Sequence, residues 1–100
     1  MFADDDGRVA HYDAAIKWYR LAAKQGSTDA QISLGTMYSS GKGVTQSDVY
    51  AHMWFALAAS NGDESAIEKL AANAKRLTPQ DLSKAQDLAA TCVNNKHKDC

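Results

Sequence analysis

The chain is poor in everything that breaks a helix or staples a small fold. Its 100 residues include one proline, six glycines and two cysteines. Proline and glycine are the weakest helix formers, so their scarcity leaves room for long helical stretches. Strand formers are sparse and never alternate over a long run, which argues against a sheet. No apolar run approaches the ~20 residues that span a bilayer, so no integral membrane segment is expected. The opening MFADDDGRV lacks the apolar centre of a secretory signal.

An excess of one charge is missing as well. Eleven Lys and Arg and twelve Asp and Glu are interspersed, for a net charge of -1. Without a basic stripe to neutralise phosphates, nucleic acid is not an expected partner. The one charge run, Asp4-Asp5-Asp6, reads as a solvated end rather than a cation site.

What is abundant is alanine, with 18 copies. Alanine has the highest helix propensity, and a chain of this length is expected to form one domain. The chain also matches itself when shifted by 36 residues. Ala15 falls on Ala51, Trp18 on Trp54, Leu21-Ala22-Ala23 on Leu57-Ala58-Ala59, Gly26 on Gly62, Ala30 on Ala66 and Leu34 on Leu70. Eight identities in the 21 positions from Ala14 to Leu34 are far above chance. Tyr19 and Phe55, both aromatic, also coincide.

The repeated unit reads as helix, tight turn, helix. Ala15, Trp18 and Ala22 form one apolar stripe at steps of three and four. Gly26 ends that helix, Ser27 or Thr28 caps the next, and Ala30, Leu34 and Met37 face the core. The small residues let helix backbones approach, and Trp18 and Trp54 are expected to fill the gaps between helix pairs. Five helices are predicted, near residues 10–25, 28–40, 47–60, 63–76 and 79–94. Thr78 and Pro79 suit the first positions of the last one. Its stripe of Leu82, Ala85, Leu88 or Ala89, and Cys92 is expected to cover the final apolar face. The organisation is then a flexible N-terminus over 1–9, repeats over 10–77, a capping helix over 78–94 and a tail over 95–100.

The stretch AQISLGTMYSSGKGV followed by AHMWFALAASNG resembles the Sel-one-like repeat, a relative of the tetratricopeptide repeat. The residues that carry the likeness are Ala30, Gln31, Leu34, Gly35, Tyr38, Gly41, Gly43, Val44, Ala51, Trp54, Ala58, Ala59 and Gly62. The family's usual aspartate after the valine is replaced by Ser47, with Asp48 beside it; either suits a helix cap. The resemblance covers about residues 10 to 95 and is of the bacterial type. It implies an all-α fold of antiparallel helix-turn-helix repeats, a short right-handed α-solenoid with a C-terminal capping helix. It also implies work as a scaffold or adaptor that binds another protein or a peptide, with no catalytic activity and no cofactor of its own. An alternative is a protein that binds or hydrolyses β-lactams or peptidoglycan fragments, as the resemblance to cysteine-rich relatives implies. Those relatives carry a cysteine pair in each repeat, whereas this chain has cysteines only near its end.

Several candidate sites dissolve on spacing. The segment GTMYSSGKGV has the glycines and lysine of a phosphate loop. However, Gly35 to Gly41 is one residue too long, and Lys42 is followed by Gly43 where magnesium binding needs a hydroxyl. The flank spaces Leu34, Met37 and Tyr38 as a helix, not a strand. Gly41-Lys42-Gly43 is therefore read as a turn, with Val44 plugging the apolar end of the pair and Gly35 a close-packing position. Cys92, His97 and Cys100 offer three metal ligands without a fourth, which leaves a disulfide or two thiols. Some secreted bacterial Sel-one-like proteins end in a similar pattern, so the resemblance implies a Cys92–Cys100 disulfide. Such a bridge adds about 2–3 kcal/mol if unstrained and implies a periplasmic or secreted chain; reduced thiols would imply a cytoplasmic one. His11, His52 and His97 form no constellation with a nucleophile or acid, and His52 is expected on the outer face of its helix. Tyr12, Tyr19, Tyr50 and Phe55 are the candidate exposed contact aromatics.

Stacked helix pairs curve, and the first helix of each pair lines the concave side. Ile32, Thr36 and Ser39, with Glu68, Ala72 and Lys75 one unit later, are the expected groove. Repeat stacks usually need about three units, so this short one predicts a homodimer through its N-terminal face.

Overall fold

The computed structural model describes residues 9–94. They form five helices: α1 (Val9–Lys24), α2 (Thr28–Ser40), α3 (Asp48–Ser60), α4 (Glu64–Ala74) and α5 (Pro79–Asn94), with no strand among the described residues. No helix end lies more than two residues from its expected position.

The boundaries have local causes. Ser27 Oγ accepts the Ala30 N–H at 3.3 Å, and Ser47 Oγ accepts that of Tyr50 at 3.2 Å. Asp63 Oδ1 accepts from Ala66 N at 2.9 Å, and Thr78 Oγ1 from Asp81 N at 3.1 Å. A cap of this kind stabilises a helix by about 1 kcal/mol. Of the candidates for the second and third helices, Ser27 and Ser47 therefore do the capping. At the end of α2, Gly41 has φ +77° and donates its N–H to Met37 O at 2.7 Å; Gly43 follows at φ +79°. Side chains rarely adopt these angles, which explains both glycines of the connector. Ser47 N–H then donates to Tyr38 O at 2.9 Å, closing the turn. Val44 packs on the core, as expected of a plug.

Helix α3 is the centre of the molecule. It packs against α2, α4 and α5, while α1 packs against α2. Helix α5 covers α3 and makes at most marginal contact with α4. The core runs through Ile16 and Ala23 of α1, Ala30 and Leu34 of α2, Met53, Trp54 and Leu57 of α3, and Cys92 of α5. Gly35 lets α2 and α3 meet closely: a Cβ there would sit 2.5 Å from Phe55 Cε1.

Four expectations change. Trp18 is 69% exposed, whereas its counterpart Trp54 is 1% exposed. The buried stripe of α1 is Ile16 and Ala23, with Ala15 and Ala22 at its edge. The reason is that α3 is packed on three sides and α1 is not. Phe55 is buried against Gly35, not presented to solvent. Tyr12 and Tyr19 are half-buried rather than exposed. His52 is buried, because the face expected to be outer is where α4 packs.

Candidate protein-binding surface

The α2–α3 connector and the C-terminal half of α1 together build a polar and aromatic depression. Tyr38, near the end of α2, and Tyr50, in the first turn of α3, stack with ring centroids 5.5 Å apart and planes 29° from parallel. The glycine turn makes this possible by reversing the chain within a few residues. Arg20 reaches across from α1: its Nη2 donates to Tyr38 Oη at 2.6 Å, and its guanidinium carbon lies 5.9 Å from the Tyr38 ring centroid. Val44, Thr45 and Ser47 complete the lining of a shallow space of about 380 Å³. Tyr50 is 43% exposed at its rim.

This arrangement can recognise a peptide. Arginine offers five N–H donors in a planar fork, and among the described residues only the bond to Tyr38 engages them. The rest remain for a carbonyl or carboxylate. The tyrosine pair offers rigid, partly apolar area at low entropic cost. Tyr50 was already a candidate contact aromatic, and Tyr38 was legible only as a helix residue of the repeat signature. Arg20 was missed; the signal that points to it is a cation where the second copy of the repeat has Ala56.

The groove residues lie elsewhere. Thr36, Glu68, Ala72 and Lys75 are exposed, and Ile32 and Ser39 are half-buried. They line neither this depression nor a second, apolar one of about 330 Å³ between α3 and α5, formed by Ala56, Leu57, Ser60, Ala89, Ala90 and Val93.

His52 belongs to a structural network. Asn73 Nδ2 donates to Asp48 Oδ1 at 3.5 Å, which leaves Asn73 Oδ1 to accept from His52 Nδ1 at 3.2 Å. Burial lowers the imidazole pKa below its usual value, and the bond to Asn73 opposes this in part. Asp48 also accepts from Gln46 and pairs with Arg76 at 3.2 Å. That pair is exposed enough to be worth only about 0–1 kcal/mol. The network joins the start of α3 to the end of α4 and holds no nucleophile. Among the described residues no cluster of His, Cys, Asp and Glu could hold a metal ion. Asp4-Asp5-Asp6, His97 and Cys100 lie outside the described residues. Cys92 is fully buried on α5. No helix among the described residues is long and apolar enough to cross a membrane.

The Sel1 repeat family model matches residues 6–27 and 28–63. Chitin synthase regulator SKT5 of Saccharomyces cerevisiae is 43% identical over 56 residues, which is 56% of this chain and 8% of that protein. The chain thus spans a small part of the curated relative that it matches. The family boundary between residues 27 and 28 falls on the Ser27 cap, and the second match takes in the whole α2–turn–α3 pair with its glycine connector. With sequence match and helix-pair architecture in agreement, this chain belongs to the Sel1 repeat family.

Proposed function

We propose that the chain is a scaffold module that binds a segment of another protein, without catalytic activity of its own. The observation that carries this reading is the Arg20–Tyr38–Tyr50 depression, where a guanidinium and a stacked tyrosine pair converge on one shallow space. Family membership supports an interaction role, and the relative's printed role as a regulator accords with one. In this reading Arg20 takes a carbonyl or carboxylate and Tyr50 packs against a neighbouring apolar side chain. The groove of Ile32, Thr36, Ser39, Glu68 and Lys75 is proposed as a second contact surface.

Crosslinking and pull-down from the native host tests both surfaces. Arg20→Ala with Tyr50→Ala is expected to lose the partner; Glu68→Lys, Lys75→Glu and Thr36→Trp together test the groove. Retention of the partner by both sets of variants would sink the proposal. A β-lactam hydrolysis and muropeptide-binding assay tests the enzymatic alternative. We further propose that Cys92 and Cys100 form a disulfide and that the chain works in the periplasm or outside the cell. The mass with and without reductant checks the bridge.

A further inference from the structure

The internal repeat supplies a template for what covers the exposed face of α1. Ala14, Trp18 and Leu21 form an outward stripe, with Trp18 69% and Leu21 50% exposed. Their counterparts in α3 are Tyr50, Trp54 and Leu57, and the latter two are only 1% and 3% exposed. Helix α3 has α2 packed before it, with α5 covering Leu57; among the described residues nothing holds the place of α2 before α1. At the other end, α4 is a first helix without a second. Helix α5 packs on α3 instead, and the outer face of α4 keeps Ile67 49% exposed, with Ala71 and Glu64 also exposed.

We infer that α4 of one copy docks on α1 of the next, so that the two complete a helix pair of the α2–α3 kind. The register follows from contacts within α2–α3. There Gly35 meets Phe55, Tyr38 stacks on Tyr50, and Asn61 Nδ2 donates to Thr28 Oγ1 at 2.9 Å. The shift of 36 residues converts these into Ala71 against Tyr19, Ala74 against Ala14, and Glu64 against Gln25 of the next copy. Leu34 and Trp54, both in the core, become Leu70 and Trp18. Ala71 on α4 thus faces Tyr19 on α1, at a helix separation slightly wider than the one Gly35 allows between α2 and α3.

Charge selects this pairing over a symmetric one. The flank of α1 carries Lys17 and Lys24, which two α1 faces would bring against each other. Helix α4 begins with Glu64, which the register places beside Lys24 and Gln25. The contact is heterologous, so it leaves a free face at each end and repeats. This refines the expected homodimer through the N-terminal face, and it stands independently of the peptide-binding proposal.

Sedimentation of the full chain from micromolar to millimolar concentration tests it. Mass is expected to rise past that of a dimer. Trp18→Glu and Ala71→Arg, both at exposed sites, are each expected to be monomeric alone and to form a 1:1 dimer when mixed. Circular dichroism checks that each stays helical. Glu64→Lys or Lys24→Glu is expected to weaken association, and the two together to restore it. A wild-type monomer at millimolar concentration, self-association of Ala71→Arg, a mixture that stays monomeric, or a double charge swap that fails to restore association would each overturn the inference.

Discussion

At the residue scale, Gly35 shows how tightly one position is held. A methyl group there would meet the Phe55 ring at 2.5 Å, and that ring is itself buried. Gly35→Ala is expected to cost about 1–3 kcal/mol, as overpacking does. Phe55→Leu in the same chain should recover part of this, as read from urea midpoints. His52 sets a pH dependence with a definite sign. Its folded pKa lies below the unfolded value of about 6.5, so the unfolded chain binds the proton more readily. Stability is full above that value and falls as pH drops through it towards the lowered folded pKa. Urea midpoints at pH 7.5 and 5.5 should differ more in the wild type than in His52→Gln. An equal difference in both would reassign the effect to other groups.

At the element scale, the helices were legible because the starts of α2 to α5 each carry a residue that caps them and the repeat reports the rest. Ser27 and Ser47 are hydroxyls placed just before apolar periodicity, and Gly41 and Gly43 are glycines at left-handed angles. The burial of individual side chains was less legible. A repeat assigns equal environments to equivalent residues, yet Trp18 and Trp54 differ because α1 and α3 have different numbers of neighbours. His52 and Phe55 were misplaced for the same reason: a helix packed on three sides has little outer face. The Arg20–Tyr38 contact joins residues 18 apart and has no periodic signature. Helix α5 supplies the prediction at this scale. It covers Leu57 and buries Ala85 and Cys92. Deleting residues 79–100 is expected to expose the α3 surface, broaden the thermal transition and raise binding of an apolar dye. An unchanged, sharp melt would show that α2–α4 stand without it.

At the scale of the whole molecule, the two halves of the repeat play unequal parts. The α2–α3 pair is complete and carries the connector that shapes the Arg20–Tyr38–Tyr50 depression. Helix α1 and helix α4 each present half of such a pair to the outside. A partner peptide bound at Arg20 and Tyr50, as proposed, would engage the junction of α1 with the complete pair, so its binding should steady α1 on α2. Pull-down variants and sedimentation variants alter different residues, and so the two proposals can be tested separately.

The contrast between the tryptophans has an optical consequence. Trp54 sits in a dry interior and Trp18 in solvent, so the chain contains two fluorophores reporting on different events. Emission from Trp54 is expected to be blue-shifted, shielded from acrylamide and responsive to global unfolding. Emission from Trp18 is expected to be red-shifted, readily quenched and responsive to whatever occupies the face of α1. Since the chain has no other tryptophan, both signals can be read without a label.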